Sequence, residues 1–302
     1  MSFMSGKTEI IVSPRSAIAG KVTLYKYISV KGLEGLIRNG SFKVTYRTNC
    51  NDPQEMTPAG RVGDFSMYDY RGFLSFTKNG NNSPRWGNYA DSYTGACIEF
   101  EFDYFSDSNI RESEPEEKLL LERVCDLRKM GFEVKFFNAF FDGTKYVPSG
   151  QSRLLIDCIY SREHRRVEWP HGSETWEGAK RNAEYFAWAI MCTKDKAWEY
   201  EDEVRMPIYR SRDILNPDEE DKRETALVLT KVPTKYIKRI ILGPLSKYTE
   251  ESVRNAISRN RKQQEEMDTY IPSDAEVVKA QFSKYSYELN YTGQEEDDNR
   301  CY

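Results

Sequence analysis

Glu201, Glu203 and Arg205 are the residues whose types and spacing could do chemistry in this chain. If residues 201 to 208 are extended, these three share one face and Val204, Met206 and Ile208 share the other, because strand side chains alternate with period two. One face is then core and the other a site. The same residues also fit a helix: Trp198, Glu201, Asp202 and Arg205 are spaced for one helix face, and Glu201 to Arg205 is a favourable i,i+4 pair. Pro207 ends any such helix, and the run Val-Met-Pro-Ile-Tyr favours extension. The pattern therefore predicts a helix that ends near Ala197 and a strand over 203–209.

A carboxylate on such a strand suits chemistry at a ribose C1′. Breaking a glycosidic bond to nicotinamide builds positive charge on the sugar, and a carboxylate against the ribose 2′-hydroxyl stabilises that state. Glu203 is the candidate for that carboxylate, and Glu201 would orient an acceptor or a water. Ser75 and Thr77, on the strand 72–77, put two hydroxyls on one face and could hold the ribose or the strand geometry. Trp86 or Tyr89 could stack on the nicotinamide ring. Arg205 could bind a phosphate, or pair with Glu201 or Glu203 and hold the strand. Each of these residues also has a plain structural reading, as core packing or as a solvated strand edge. Glu55, on a polar loop after Asp52-Pro53, reads as solvated.

Other chemistries lack their motifs. There is no G-x-G-x-x-G, no G-x-x-x-x-G-K-[ST], no G-x-S-x-G and no H-E-x-x-H. The chain has 2 histidines, His164 and His171, both in a polar segment; they read as surface residues, and no metal site is assigned. The 6 cysteines have no C-x-x-C pair and read as reduced core thiols of a cytoplasmic protein. A net charge of -4 over 302 residues argues against wrapping long stretches of nucleic acid. No run of apolar residues is long enough to cross a membrane.

The elements that would position the site follow from hydropathy and turn residues. Strands are predicted over 22–28, 41–46, 72–77, 95–102, 225–229, 237–243, 276–282 and 285–291. A short helix carries Leu33, Leu36 and Ile37 and stops at Asn39-Gly40. Ser83-Pro84 reads as an N-cap followed by proline, opening a helix over 85–91. Longer helices are predicted over 112–130, 177–192 and 249–264. Residues 132–160 show no clear period, and Arg162-Glu163-His164-Arg165-Arg166 reads as a basic loop. The whole predicts an α+β fold, mixed or antiparallel sheets with flanking helices: a tail over 1–21, one domain over 22–292 and an acidic tail over 293–302.

Several short motifs occur in one order: Leu24-Tyr25-Lys26-Tyr27, Asn51-Asp52-Pro53-Gln54-Glu55, Leu74-Ser75-Phe76-Thr77 and Trp86-Gly87-Asn88-Tyr89-Ala90-Asp91. Gly95–Phe100, Lys194 with Trp198–Arg205, and Ile240–Gly243 follow. As an ordered set over residues 24 to 245 they resemble the bacterial family known as domain of unknown function 2971. The layout of a polar first strand, a Ser-x-Thr strand and a late Glu-x-Glu also resembles the ADP-ribosyltransferase fold. That resemblance implies NAD as substrate and first-strand contacts from Tyr25 and Lys26. It also implies a macromolecular acceptor, protein or nucleic acid, and a toxin or antiviral defence role. The sequence departs from the pattern where those enzymes carry arginine or histidine on the first strand. Two other readings stay open: a non-catalytic nucleotide or nucleic-acid binding module using Arg205 and the 162–166 cluster, and a metal-dependent nuclease using Glu201, Glu203 and Asp52.

Overall fold

The computed structural model describes residues 18–57, 71–105, 115–137, 154–164, 187–209, 229–231, 234–266, 270–284 and 286–291. In chain order, β1 (Ile18–Ile28), α1 (Val30–Asn39), β2 (Ser41–Lys43), β3 (Thr45–Tyr46) and β4 (Arg71–Thr77) form the first part. Then come α2 (Ser83–Tyr89), β5 (Ala96–Phe105), α3 (Pro115–Lys129), β6 (Val134–Phe137), β7 (Leu154–Asp157) and β8 (Ile159–Ser161). Helical residues 187–191 lead into β9 (Thr193–Asp195) and β10 (Glu203–Tyr209). The last part holds β11 (Leu229–Lys231), β12 (Ile237–Leu242), α4 (Glu250–Glu266), β13 (Glu276–Lys279), β14 (Gln281–Phe282) and β15 (Leu289–Asn290).

A nine-stranded, mostly antiparallel sheet dominates the described residues, so the mixed α+β expectation holds. Its pairings close on themselves. β1 runs antiparallel to β5 from Ile18↔Phe105 to Ile28↔Ala96, and the far end of β5 passes to β6, then β7, β10 and β4. β4 returns to β1 at a single register pair, Tyr25↔Thr77. β12 fills the remaining edge of β5, and β13 joins it in parallel.

One face of this curved sheet carries Leu24, Leu74, Phe76, Phe100, Phe102, Val204 and Met206, all buried against α1 and α4. Phe100 and Phe102 share that face because they are two residues apart, and Phe76 meets both edge-on at 5.4 and 5.7 Å. Burying each such ring stabilises the fold by about 1.5–3 kcal/mol. α1 covers the face with Leu33, Leu36 and Ile37, the i, i+3, i+4 set of one stripe. The Ser29 side chain accepts from the Gly32 amide at its start. Gly40 ends it at φ 61°, a left-handed conformation that glycine takes without steric cost.

The opposite face holds two smaller cores. Phe73, Ile156, Val124, Leu127 and Met191 form one; Tyr27, Trp86, Cys97 and Ile241 form the other. Glu203 and Arg205 face the space between them.

Several boundaries differ from the sequence reading. β1 starts inside the segment read as a tail, and 41–46 splits into β2 and β3. Residues 132–160 yield β6, β7 and part of β8, whose pairing is set by neighbours far away in the chain. The cap of α2 is Asn82, which accepts from the Arg85 amide; Ser83 is already helical. Of the helix predicted over 177–192, residues 177–186 lie outside the described residues, as do 225–228 and the tail 293–302. Cys97, Cys158 and Cys192 are buried thiols as expected, but Cys125 is exposed.

Candidate functional site

The chain reaches the site along β9, which pairs in parallel with β8 at Tyr160↔Lys194. Asp195 then caps a 3-10 turn, Lys196–Glu201, by accepting from the Ala197 amide. Asp202 reverses the path at φ 43°, a left-handed conformation that aspartate tolerates better than most residues. The strand over 203–209 is as predicted, but the preceding segment is strand and 3-10 turn, not a helix ending near Ala197. Glu201 therefore does not alternate with Glu203 along one strand. It comes from the turn, where three contacts grip the backbone: Thr77 Oγ1 donates to the Glu201 carbonyl at 2.8 Å, Asn82 Nδ2 to Tyr200 O at 2.7 Å, and the Lys78 amide to Asp202 O at 3.2 Å.

Lys194 joins the two carboxylates. Its Nζ donates to Glu201 Oε2 at 2.6 Å and to Glu203 Oε2 at 2.8 Å, with Glu55 Oε2 at 3.9 Å. Arg205 grips Glu203 with a fork, Nε to Oε1 at 2.9 Å and Nη2 to Oε2 at 3.0 Å. It also donates to Glu55 Oε1 and to the Met191 carbonyl, and its guanidinium lies 3.8 Å from the Phe73 ring centroid. On the other side Tyr89 Oη donates to Glu201 Oε1 at 2.7 Å and Arg85 Nη2 to Glu201 Oε2 at 3.3 Å. Glu201, Glu203 and Arg205 are at most 3% exposed.

Protonation follows from these neighbours. Burial alone would raise the Glu203 pKa, but Arg205 and Lys194 together hold it well below the ordinary carboxylate value. Burial likewise pulls Lys194 down, and Glu203, Glu55 and Glu201 push it up further, so Lys194 stays charged. Burial pushes the Tyr89 hydroxyl up, with Glu201 adding to the effect. Lys26 behaves differently: burial first, then Arg85, lower it to about 8 against a smaller upward pull from Glu203. It donates to the Ser75 carbonyl at 3.1 Å. Three cations, Arg85, Lys194 and Arg205, thus meet three carboxylates, Glu55, Glu201 and Glu203, while Lys26 makes no ion pair with them, and the buried Arg85 Nε has no hydrogen-bond partner.

The predicted residues separate into groups. Tyr25, Thr77 and Glu203 come together in one row, since Tyr25 pairs with Thr77 and Thr77 with Glu203 across three adjacent strands. Directly opposed residues share a face. Ser75 lies opposite Arg205, one step further along. Trp86 is fully buried, edge-on to Tyr27 at 5.2 Å and parallel to Tyr93 at 6.2 Å, so it is a core residue and presents no face to a ring. Arg205 holds the strand: four of its five N–H donors go to Glu203, Glu55 and the Met191 carbonyl. Glu55, read as solvated, is an ion-pair partner with a side chain only 7% exposed. Asp52 receives Trp198 Nε1 at 3.3 Å instead of joining Glu201 and Glu203, and among the described residues no group of three metal-ligating side chains forms. Of the basic cluster, Arg162 and His164 are exposed while 165–166 lie outside the described residues.

Sequence reasoning missed Lys194, Arg85 and Glu55 as members. Lys194 carries no local signal beyond its place in the quoted motifs, and Arg85 lies one residue before the motif that begins at Trp86. A shallow depression lined by Asp52, Glu55, Ser161, His164, Lys194 and Asp195 opens beside the cluster.

Residues 85–206 match the model of a family described as protein of unknown function (DUF2971). The matched stretch is shorter than the ordered motif set, but it contains Arg85, Tyr89, Lys194, Glu201, Glu203 and Arg205. No curated protein and no solved structure matches the chain. No helix among the described residues is long and apolar enough to cross a membrane.

Proposed function

We propose that this chain is an enzyme of the ADP-ribosyltransferase kind, which breaks the nicotinamide–ribose bond of NAD and passes ADP-ribose to water or to a macromolecular acceptor. The observation that carries the reading is the row Tyr25–Thr77–Glu203, one residue from each of three adjacent strands on one face. An oxocarbenium-like sugar needs a carboxylate that stays ionised, and the Arg205 fork and Lys194 keep Glu203 in that form. A hydrogen bond from the ribose 2′-hydroxyl to Glu203 then strengthens as positive charge grows on the ring. The NAD diphosphate brings negative charge, and Lys26 and Arg85 are the cations left without a carboxylate of their own or with one shared. Tyr89 is a half-buried aromatic residue at the cluster, hydrogen-bonded to Glu201. Since Glu203 is 3% exposed, entry of NAD requires the groups that cover it to move aside.

The test is mass spectrometry of NAD incubated with the protein, alone and with protein, DNA or RNA acceptors. Wild type is expected to release nicotinamide, and Glu203→Gln to lose activity by about 100-fold or more while circular dichroism shows it folded. Intact NAD after incubation with wild type and every acceptor would sink the proposal.

A further inference from the structure

One residue before the register pair Ile159↔Thr193, where β8 and β9 begin, stand Cys158 and Cys192. The Ile159 amide donates to the Cys192 carbonyl at 2.9 Å, so the two backbones are neighbours in a parallel ladder. Such strands lie about 5 Å apart, inside the Cα spacing of roughly 4.4–6.8 Å that a disulfide spans. Both thiols are free and buried in the same apolar cluster, and Cys192 is near enough to push the Cys158 pKa up further than burial alone does. The other thiols among the described residues are placed differently: Cys97 belongs to the core around Trp86, Cys125 is exposed on α3, and Cys50 lies at the margin of the cluster, its Sγ turned to the Tyr46 carbonyl.

The pair touches the site through the backbone. The Cys158 amide donates to the Glu203 carbonyl at 2.9 Å. Met191, the residue before Cys192, gives its carbonyl to Arg205, and Lys194 lies two residues beyond Cys192. We infer that Cys158 and Cys192 form a redox-closable clasp under the Lys194–Glu203–Arg205 cluster, linked by a disulfide when the protein meets a peroxide. Cys158, at 9% exposed against 0% for Cys192, is the one a peroxide reaches first, and it reacts slowly, because burial raises its pKa well above the ordinary thiol value and keeps it protonated. Its sulfur is oxidised to the sulfenic acid with release of one water, and the Cys192 sulfur then displaces hydroxide, which leaves as a second water. Two thiols and one hydrogen peroxide thus give one disulfide and two waters. A clasp of this kind suits a reducing compartment, where disulfides are transient and regulatory.

The experiment treats native wild-type protein with hydrogen peroxide, alkylates it in denaturant and maps the peptides by mass spectrometry. The expected result is a Cys158–Cys192 cross-linked peptide that dithiothreitol separates, with Cys192 alkylated instead in Cys158→Ser. Finding both cysteines alkylated while Cys125 is oxidised overturns the inference, and so does a link from Cys158 to Cys50. The wild-type map decides by itself, whether or not the variant folds, and it is independent of any reaction with NAD.

Discussion

Two buried lysines sit close to Glu203 and live in opposite electrostatic surroundings. Lys194 meets Glu201, Glu203 and Glu55, and its charge is held in place. Lys26, at the seam where β1 and β4 touch by one register pair, has no carboxylate in ion-pair distance among the described residues; it has the Ser75 carbonyl and lies 5.7 Å from the Phe76 ring centroid. The difference teaches which of the two is structural. A lysine with its counter-ions completes the fold, whereas one without them costs stability, and such a cost persists where the charge has a use.

The largest expected effect comes from taking away the satisfied lysine. Lys194→Met leaves Glu201 and Glu203 to share Arg85 and Arg205, and should destabilise the protein by about 3–5 kcal/mol in chemical denaturation. A loss under about 1 kcal/mol would show that Lys194 does not hold the cluster together.

Lys26→Met should act in the other direction, raising stability at pH 7 by up to about 3 kcal/mol, the equivalent of a fall from 10.5 to about 8. The sign follows from proton counting. Below pH 8 the lysine is charged in both states and the full penalty is present. Between about 8 and 10.5 the unfolded chain binds the proton and the folded one does not, so wild-type stability gains on the variant as pH rises. Denaturant midpoints of both proteins from pH 7 to 10.5 check this; a gap independent of pH would break the comparison. The same substitution should weaken NAD binding in calorimetry if the unpaired charge serves the diphosphate.

A smaller effect is expected at the rim. Tyr89→Phe removes one hydrogen bond to Glu201, which keeps Lys194 and Arg85, so the cost should be about 1.5 kcal/mol in thermal or urea unfolding. A cost equal to that of Lys194→Met would mean that Tyr89, and not the lysine, secures Glu201.

Much of the frame was legible residue by residue. Leu33, Leu36 and Ile37 marked the buried stripe of α1, Gly40 its end, and the alternation of Val204, Met206 and Ile208 with Glu203 and Arg205 marked β10. What failed was local inference about Glu201 and Glu55. Period two placed Glu201 on the strand, but the left-handed Asp202 and the grip of Thr77 and Asn82 put it on a turn. Trp86 has the same composition signature as an exposed platform, and only the packing of Tyr27 and Tyr93 made it core.

By itself, then, the sequence determined which residues alternate, where the chain turns and that acidic and basic side chains crowd the stretch before Pro207. Only the tertiary structure decided who pairs with whom. Arg205 and Glu55 are 150 positions apart, and Arg85 and Glu201 are 116. Ionic attraction depends on distance through space and on the exclusion of water, and both are set when the sheet closes from β4 back to β1.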